Sequence, residues 1–297
     1  MNQQIIQEQI KTGIDLRTKG MLVTLHLHCY TARKYDKKVT RDTNRDHDAS
    51  MNAGRYNKQL IDVEKYLSPI RKLQSEIRDY HYTMSLPWLE GARVLSLVHW
   101  EPYCQQMNQY LDQHAPLVQA FLSVYPQAQQ EAQSYLGKMY NQDEYPSVEQ
   151  VALKFYAEYL LTPLPSVQDF RIDLPEYAIA KTAQAIESAY QRATRDAWQR
   201  LHDHIEHIAR KMQEFETGDS TRLYDSMLSN LEDLIRIMPG LNMQDDPVLQ
   251  FLAESARRRL TAVPVEVLRE DESARKRLKT EAQDILAKMR FHLPAEC

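Results

Sequence analysis

The hydrophobic period changes several times along the chain, and each change predicts an element. In Leu22–Tyr30 one parity carries Val23, Leu25, Leu27 and Cys29, and the other carries Thr24, His26, His28 and Tyr30. Such alternation marks a half-buried strand. A regular strand turns Cys29 away from His26 and His28, so these three do not converge on one metal ion. Further on, Leu60, Val63, Leu67, Ile70, Leu73, Ile77 and Tyr80 recur every three or four residues. That stripe predicts an amphipathic helix, kinked or divided at Pro69 and stopped by Ser85-Leu86-Pro87-Trp88. Helices are expected near 90–99, 103–124, 127–139 and 147–160, set off by Pro102, Pro126 and Pro146, with a short one at 3–16. Residues 160–177 hold three prolines and the alternating DFRIDL, which reads as a crossover with a second short strand at 168–174.

The longest pattern follows. Ile179, Ala183, Ile186, Tyr190, Ala193, Ala197, Leu201, Ile205, Ile208, Met212 and Phe215 form a heptad-like seam with one stutter. At 1.5 Å per residue this helix runs roughly 55 Å, longer than one small core covers. It predicts a coiled-coil arm, a long bundle or a subunit interface, with Ile186, Tyr190, Leu201, Ile205, Ile208 and Met212 as the oligomer contacts. Gly218, Asp219 and Ser220 mark its end and the cap of a helix striped by Leu223, Met227, Leu231, Leu234 and Met238. Asp246-Pro247 starts another, and a charge-dense helix runs from Val265 to Phe291. The expected fold is mainly α: a multi-helix bundle with a long coiled-coil-like helix and a small β element near the N-terminus. The expected domains are 1–174 and 175–297.

Composition narrows the chemistry. The 297 residues include only 7 glycines, against roughly 20 at ordinary usage. Neither G-x-G-x-x-G nor G-x-x-x-x-G-K occurs, so a dinucleotide or P-loop site is not expected. The formal net charge is −4, without the strong basic excess of a free-standing DNA-binding domain. Cys29, Cys104 and Cys297 have no paired spacing, which fits a reducing compartment and no disulfide framework. No signal peptide and no apolar run of membrane-spanning length is seen, so the expected address is the cytoplasm of a bacterial host cell.

Three sets of residues remain as candidates. The segment 31–50 mixes charges; its basic residues Arg33, Lys34, Lys37, Lys38 and Arg41, with Tyr30 and Tyr35 for stacking, suit a phosphate-facing arm. Its interspersed aspartates argue instead for a solvated loop. In LHDHIEHIARK, His202, His204 and His207 cluster with Asp203 and Glu206. His204 and His207, at i and i+3, share a helix face and suit a metal, but no second Glu-x-x-His and no HExxH supports them. The 17 tyrosines suit interfaces or an amphipathic core. No GxSxG or Cys/His motif is present, so catalysis and a cofactor are not expected.

The pieces GRYNK (54–58), SLPWLEGARVL (85–95), FLSVYPQ (121–127), LGKMYNQDEYPS (136–147) and PLPSVQDFRIDL (163–174) resemble a family of phage and mobile-element proteins with a domain of unknown function. The resemblance covers roughly residues 20 to 175. It implies a phage or integrative-element setting beside MoxR-type AAA ATPases and von Willebrand A-domain proteins, and it assigns no catalytic residue. The leading expectation is a non-catalytic, homo-oligomeric adaptor or recognition partner of an AAA ATPase. The alternative is a single-stranded nucleic-acid-binding, annealing or DNA-protecting protein that uses the basic segment 33–45.

Overall fold

The computed structural model describes residues 17–165, 175–217, 223 and 225–293. The expected helix at 3–16, the strand at 168–174 and the cap at 218–220 lie outside them. Among the described residues the fold is mainly α, with nine helices and small antiparallel sheets. In chain order the elements are β1 (Gly20–His28), β2 (Arg33–Tyr35), α1 (Lys37–Asp46), β3 (Asn57–Gln59), α2 (Val63–Met84), β4 (Leu86–Pro87) and β5 (Arg93–Ser96). Then come α3 (Trp100–Leu136), α4 (Val148–Ala152), β6 (Tyr156–Thr162) and α5 (Glu176–Thr217). The chain closes with α6 (Ser226–Leu241), α7 (Pro247–Leu260), α8 (Val265–Glu270) and α9 (Glu272–Met289). One sheet has the order β4-β5-β1-β6, and β2 pairs with β3 in a separate ribbon.

The alternation at 22–30 does form a strand. Val23 is buried while His26 and His28 are exposed on the other parity. Several local expectations change. Pro69 does not divide α2, and Pro126 does not separate two helices; Pro116 and Pro126 both lie inside the continuous 37-residue α3. A proline costs an interior helix about 3 kcal/mol, and the apolar faces of these helices outweigh it. Residues 90–99 hold β5 rather than a helix. Glu90 and Gly91 take positive φ, +52° and +80°, to turn β4 into β5, and Gly91 reaches that region without a Cβ penalty. Ser147 and Gln150 close a capping box on α4, but the helix stops at Ala152 and β6 follows. The expected helix 265–291 is two, α8 and α9, because Asp271 caps the second by accepting from the Ser273 and Ala274 amides.

The chain divides into two compact units that alternate along the sequence. The first takes residues up to Thr24, Tyr82–Tyr103 and Leu160 onward; the second takes Leu25–His81 and Cys104–Tyr159. A single boundary near 174 is therefore replaced by four crossings, inside β1, α2, α3 and β6. In the first unit α5 packs on α6, α7 and α9. Its core joins Leu201, Ile205, Ile208 and Met212 of α5 to Leu231, Leu252, Leu278 and Ile285, and also to Leu86, Trp88 and Val94. Arg200 fixes this last segment by donating to the Tyr82, Thr83 and Ser85 carbonyls at 2.8 to 2.9 Å, and Arg93 donates to the Ser85 hydroxyl and carbonyl. Two guanidiniums thus satisfy carbonyls at the α2 C-terminus. Burial, with Arg200 beside it, brings the Arg93 pKa down to about 10. The second unit's core contains Tyr30, Ala32, Ile61, Leu67, Ile70, Phe121, Tyr125 and Val151.

Candidate functional site

The segment 33–45 is ordered, not a loop. Arg33 pairs with Gln59 and Tyr35 with Asn57 across the β2–β3 ribbon, and α1 follows at once. Asp36 is the N-cap of α1: its Oδ1 accepts from the Lys38 and Val39 amides at 3.1 and 3.0 Å. Its other oxygen, Oδ2, lies 3.2 Å from the buried Lys58 ammonium. Lys58 also reaches Glu144 at 2.7 Å and donates to the Met139 carbonyl at 2.6 Å. Burial pulls the Lys58 pKa down, but its bonds to Glu144 and Asp36 outweigh that and hold it above the usual value. Asp36 sits below the ordinary carboxylate range, chiefly because the Val39 amide favours the ionised form, with Lys58 adding to it.

The inward face of α1 is polar. Thr40 Oγ1 accepts from the Tyr56 amide at 3.0 Å, and Asn44 Nδ2 donates to the Met51 and Gly54 carbonyls at 3.0 and 3.3 Å. These bonds bring residues 51–56 back against the helix, and Arg55 then lies 4.4 Å above the Tyr35 ring centroid. Gly54 permits the approach, because a Cβ there would stand 2.7 Å from Asn44 Oδ1.

Arg33, Lys34, Lys37, Lys38 and Arg41 are all exposed. None has a carboxylate partner among the described residues, whereas three of the segment's aspartates are engaged. Asp36 turns to Lys58, and Asp42 and Asp46 lie 3.4 and 3.5 Å from Arg45. Lys37 and Lys38 occupy the first turn of α1, where the helix dipole disfavours cations by about 0.3–1 kcal/mol each. Tyr30 corrects the expected stacking pair. The strand ends at His28, and Tyr30 enters the core at 7% exposure, edge-on to Tyr125 at 6.0 Å. Burial raises its phenol pKa well above the usual value. Tyr35 stays half-buried beneath Arg55, and Tyr56 is 39% exposed nearby in sequence.

The α5 seam is corrected as well. Leu201, Ile205, Ile208 and Met212 are fully buried within this chain, and Ile186 and Tyr190 pack against the same core. Leu201, Ile205, Ile208 and Met212 are spent on the core with α6, α7 and α9, while Ile186 and Tyr190 stay half-buried. His204 and His207 line a groove of about 250 Å³ beside α6, with Asp203, Lys211, Ser226, Met227 and Asn230. Burial lowers both imidazole pKa values, with His207 acting next on His204 and Arg210 on His207. His207 Nδ1 lies 3.1 Å from Arg210 Nη2, and Lys211 is paired with Glu214 at 2.6 Å.

Sequence reasoning singles out the five cations, and Arg55 as a basic residue past the run, but not Lys58, Thr40 or Asn44. Their signal is weak: a buried lysine and an inward threonine and asparagine look like surface residues in a polar stretch. Among the described residues no helix is long and apolar enough to cross a membrane. Comparisons with known protein families, curated proteins and solved structures found no match. The family resemblance and its genomic setting therefore rest on the quoted motifs alone.

Proposed function

We propose that the chain binds single-stranded nucleic acid through the face formed by β2 and α1 of the second unit. One observation carries this reading. Arg33, Lys34, Lys37, Lys38 and Arg41 are exposed without carboxylate partners, while Asp36 is drawn inward by Lys58 and Asp42 and Asp46 are held by Arg45. Three of the aspartates that argued for a solvated loop thus face Lys58 or Arg45 and not these five residues, and exposed cations without carboxylate partners are what a phosphate backbone requires. Tyr35, with Arg55 over its ring, supplies a flat surface beside the cations for an unpaired base. The formal net charge of −4 is compatible with this, since phosphate contacts depend on the local field.

The test is fluorescence anisotropy of a labelled oligonucleotide against the wild-type chain and a variant with all five cations replaced by alanine. The expected result is binding by the wild type and its loss in the variant. Equal affinity of the two would refute the site.

A second reading, a recognition partner of an AAA ATPase, loses the α5 seam as its docking surface. It keeps one supporting observation, the exposed apolar turn Leu97, Val98 and Trp100 at 42%, 67% and 44%. Loss of ATPase co-purification on changing Val98 to Glu would support it, and unchanged co-purification would remove it.

A further inference from the structure

Five residues able to donate to a metal fall within six positions of α5: His202, Asp203, His204, Glu206 and His207. At roughly 100° per residue, Asp203 lies between His202 and Glu206 on one side and His207 and His204 on the other. The pair His204 and His207 is the one the i, i+3 spacing favours, yet the geometry selects the other side. One donor atom from each of His202, Asp203 and Glu206 lies within 4.8 Å of the other two. No other trio of histidine, cysteine, aspartate or glutamate does so among the described residues.

The surroundings of this trio are unlike those of a solvated helix face. Asp203 and Glu206 repel each other at i and i+3, and neither has a lysine or arginine partner among the described residues. The basic residues nearby are committed elsewhere: Arg200 to Asp196, and Arg210 and Lys211 to Glu214. Asp203 accepts only a neutral donor, Gln199 Nε2 at 2.6 Å. His202 Nδ1 is shielded from solvent, has no hydrogen-bond partner and stands 3.5 Å from Asp203 Oδ1. A shielded ring nitrogen without a hydrogen-bond partner, beside two carboxylates without lysine or arginine partners, is a donor set that a cation would satisfy.

We propose that His202, Asp203 and Glu206 bind one divalent first-row transition-metal ion, with water completing its shell. Metal–ligand bonds near 2.0–2.2 Å bring tetrahedral donors to about 3.4 Å apart. The exposed Asp203 and Glu206 side chains close the remaining gap by rotating. An imidazole with two carboxylates suits zinc or its neighbours, whereas magnesium and calcium prefer oxygen alone. The site lies in the first unit and does not depend on the nucleic-acid reading.

The experiment is a calorimetric Zn²⁺ titration of the chelator-treated full chain, compared with H202A/E206Q and H204A/H207A. Far-UV circular dichroism of all three confirms that each is folded. The wild type is expected to take up one equivalent, H202A/E206Q to bind at least about tenfold more weakly, and H204A/H207A to bind like the wild type. Absence of binding by the wild type overturns the proposal. So does any weakening in H204A/H207A that equals or exceeds that in H202A/E206Q.

Discussion

Lys58 holds its ammonium within 2.6 to 3.2 Å of the Met139 carbonyl, Glu144 and Asp36, and is 4% exposed. Replacing it with methionine leaves two half-buried carboxylates facing each other. Breaking a buried ion pair costs about 3–5 kcal/mol, so urea denaturation of Lys58→Met is expected to show a loss of that order. A loss under about 1 kcal/mol would show the cluster to be solvated. Asp36 gives a pH signature. Its folded pKa is depressed, so its stabilising contribution is complete above the ordinary aspartate value near 3.9 and is lost as pH falls through the folded value. Urea midpoints of the wild type and Asp36→Asn should differ by a constant amount above about pH 5 and converge in acid. A gap that widens in acid contradicts the assignment. None of this was legible in the sequence, because a lysine between asparagine and glutamine in a charged stretch carries no mark of burial.

The elements were read best where the period was long. The α5 stripe and the α6 stripe each emerged as continuous helices, since many buried positions average out local exceptions. Short elements were read worst. β5 reads as helix because four residues hold too few repeats to separate the periods, and α1 gives no hydropathy signal because its inward face is Thr40 and Asn44. Prolines misled in α2 and α3, where apolar faces that include Leu67, Ile70, Phe121 and Tyr125 override the local penalty. For α1 itself, Asn44→Ala removes both side-chain bonds to residues 51–54. It should cost about 1–3 kcal/mol and speed proteolytic nicking between 47 and 56. Unchanged nicking would show that the segment is held by other means.

At the scale of the molecule, the α5 seam raised a choice between a subunit interface and a core, and sequence spacing alone does not decide it. In the structure Ile205 and Ile208 are fully buried within one chain. Ile205→Ala should therefore cost about 2–5 kcal/mol, with an unfolding midpoint independent of protein concentration. A midpoint that rises with concentration would restore the seam to an interface. The alternation of the two units is also hidden in the sequence, as is the way Arg93 and Arg200 meet the backbone at 82–85, because no periodic pattern announces contacts between segments so far apart in the chain. The five cations, by contrast, are visible as residues; what the fold adds is that Asp36 turns to buried Lys58 and that Asp42 and Asp46 lie beside Arg45.

The central claim is that five free cations engage phosphates, and the most direct measurement is the salt dependence of oligonucleotide affinity. A plot of log K against log[salt] for single strands falls with a slope of about −0.7 per phosphate contact. The wild type is expected near −3.5 if all five cations engage, and Lys37→Ala/Arg41→Ala should be shallower by about 1.4. A flat plot, or one that the double variant leaves unchanged, would contradict the account.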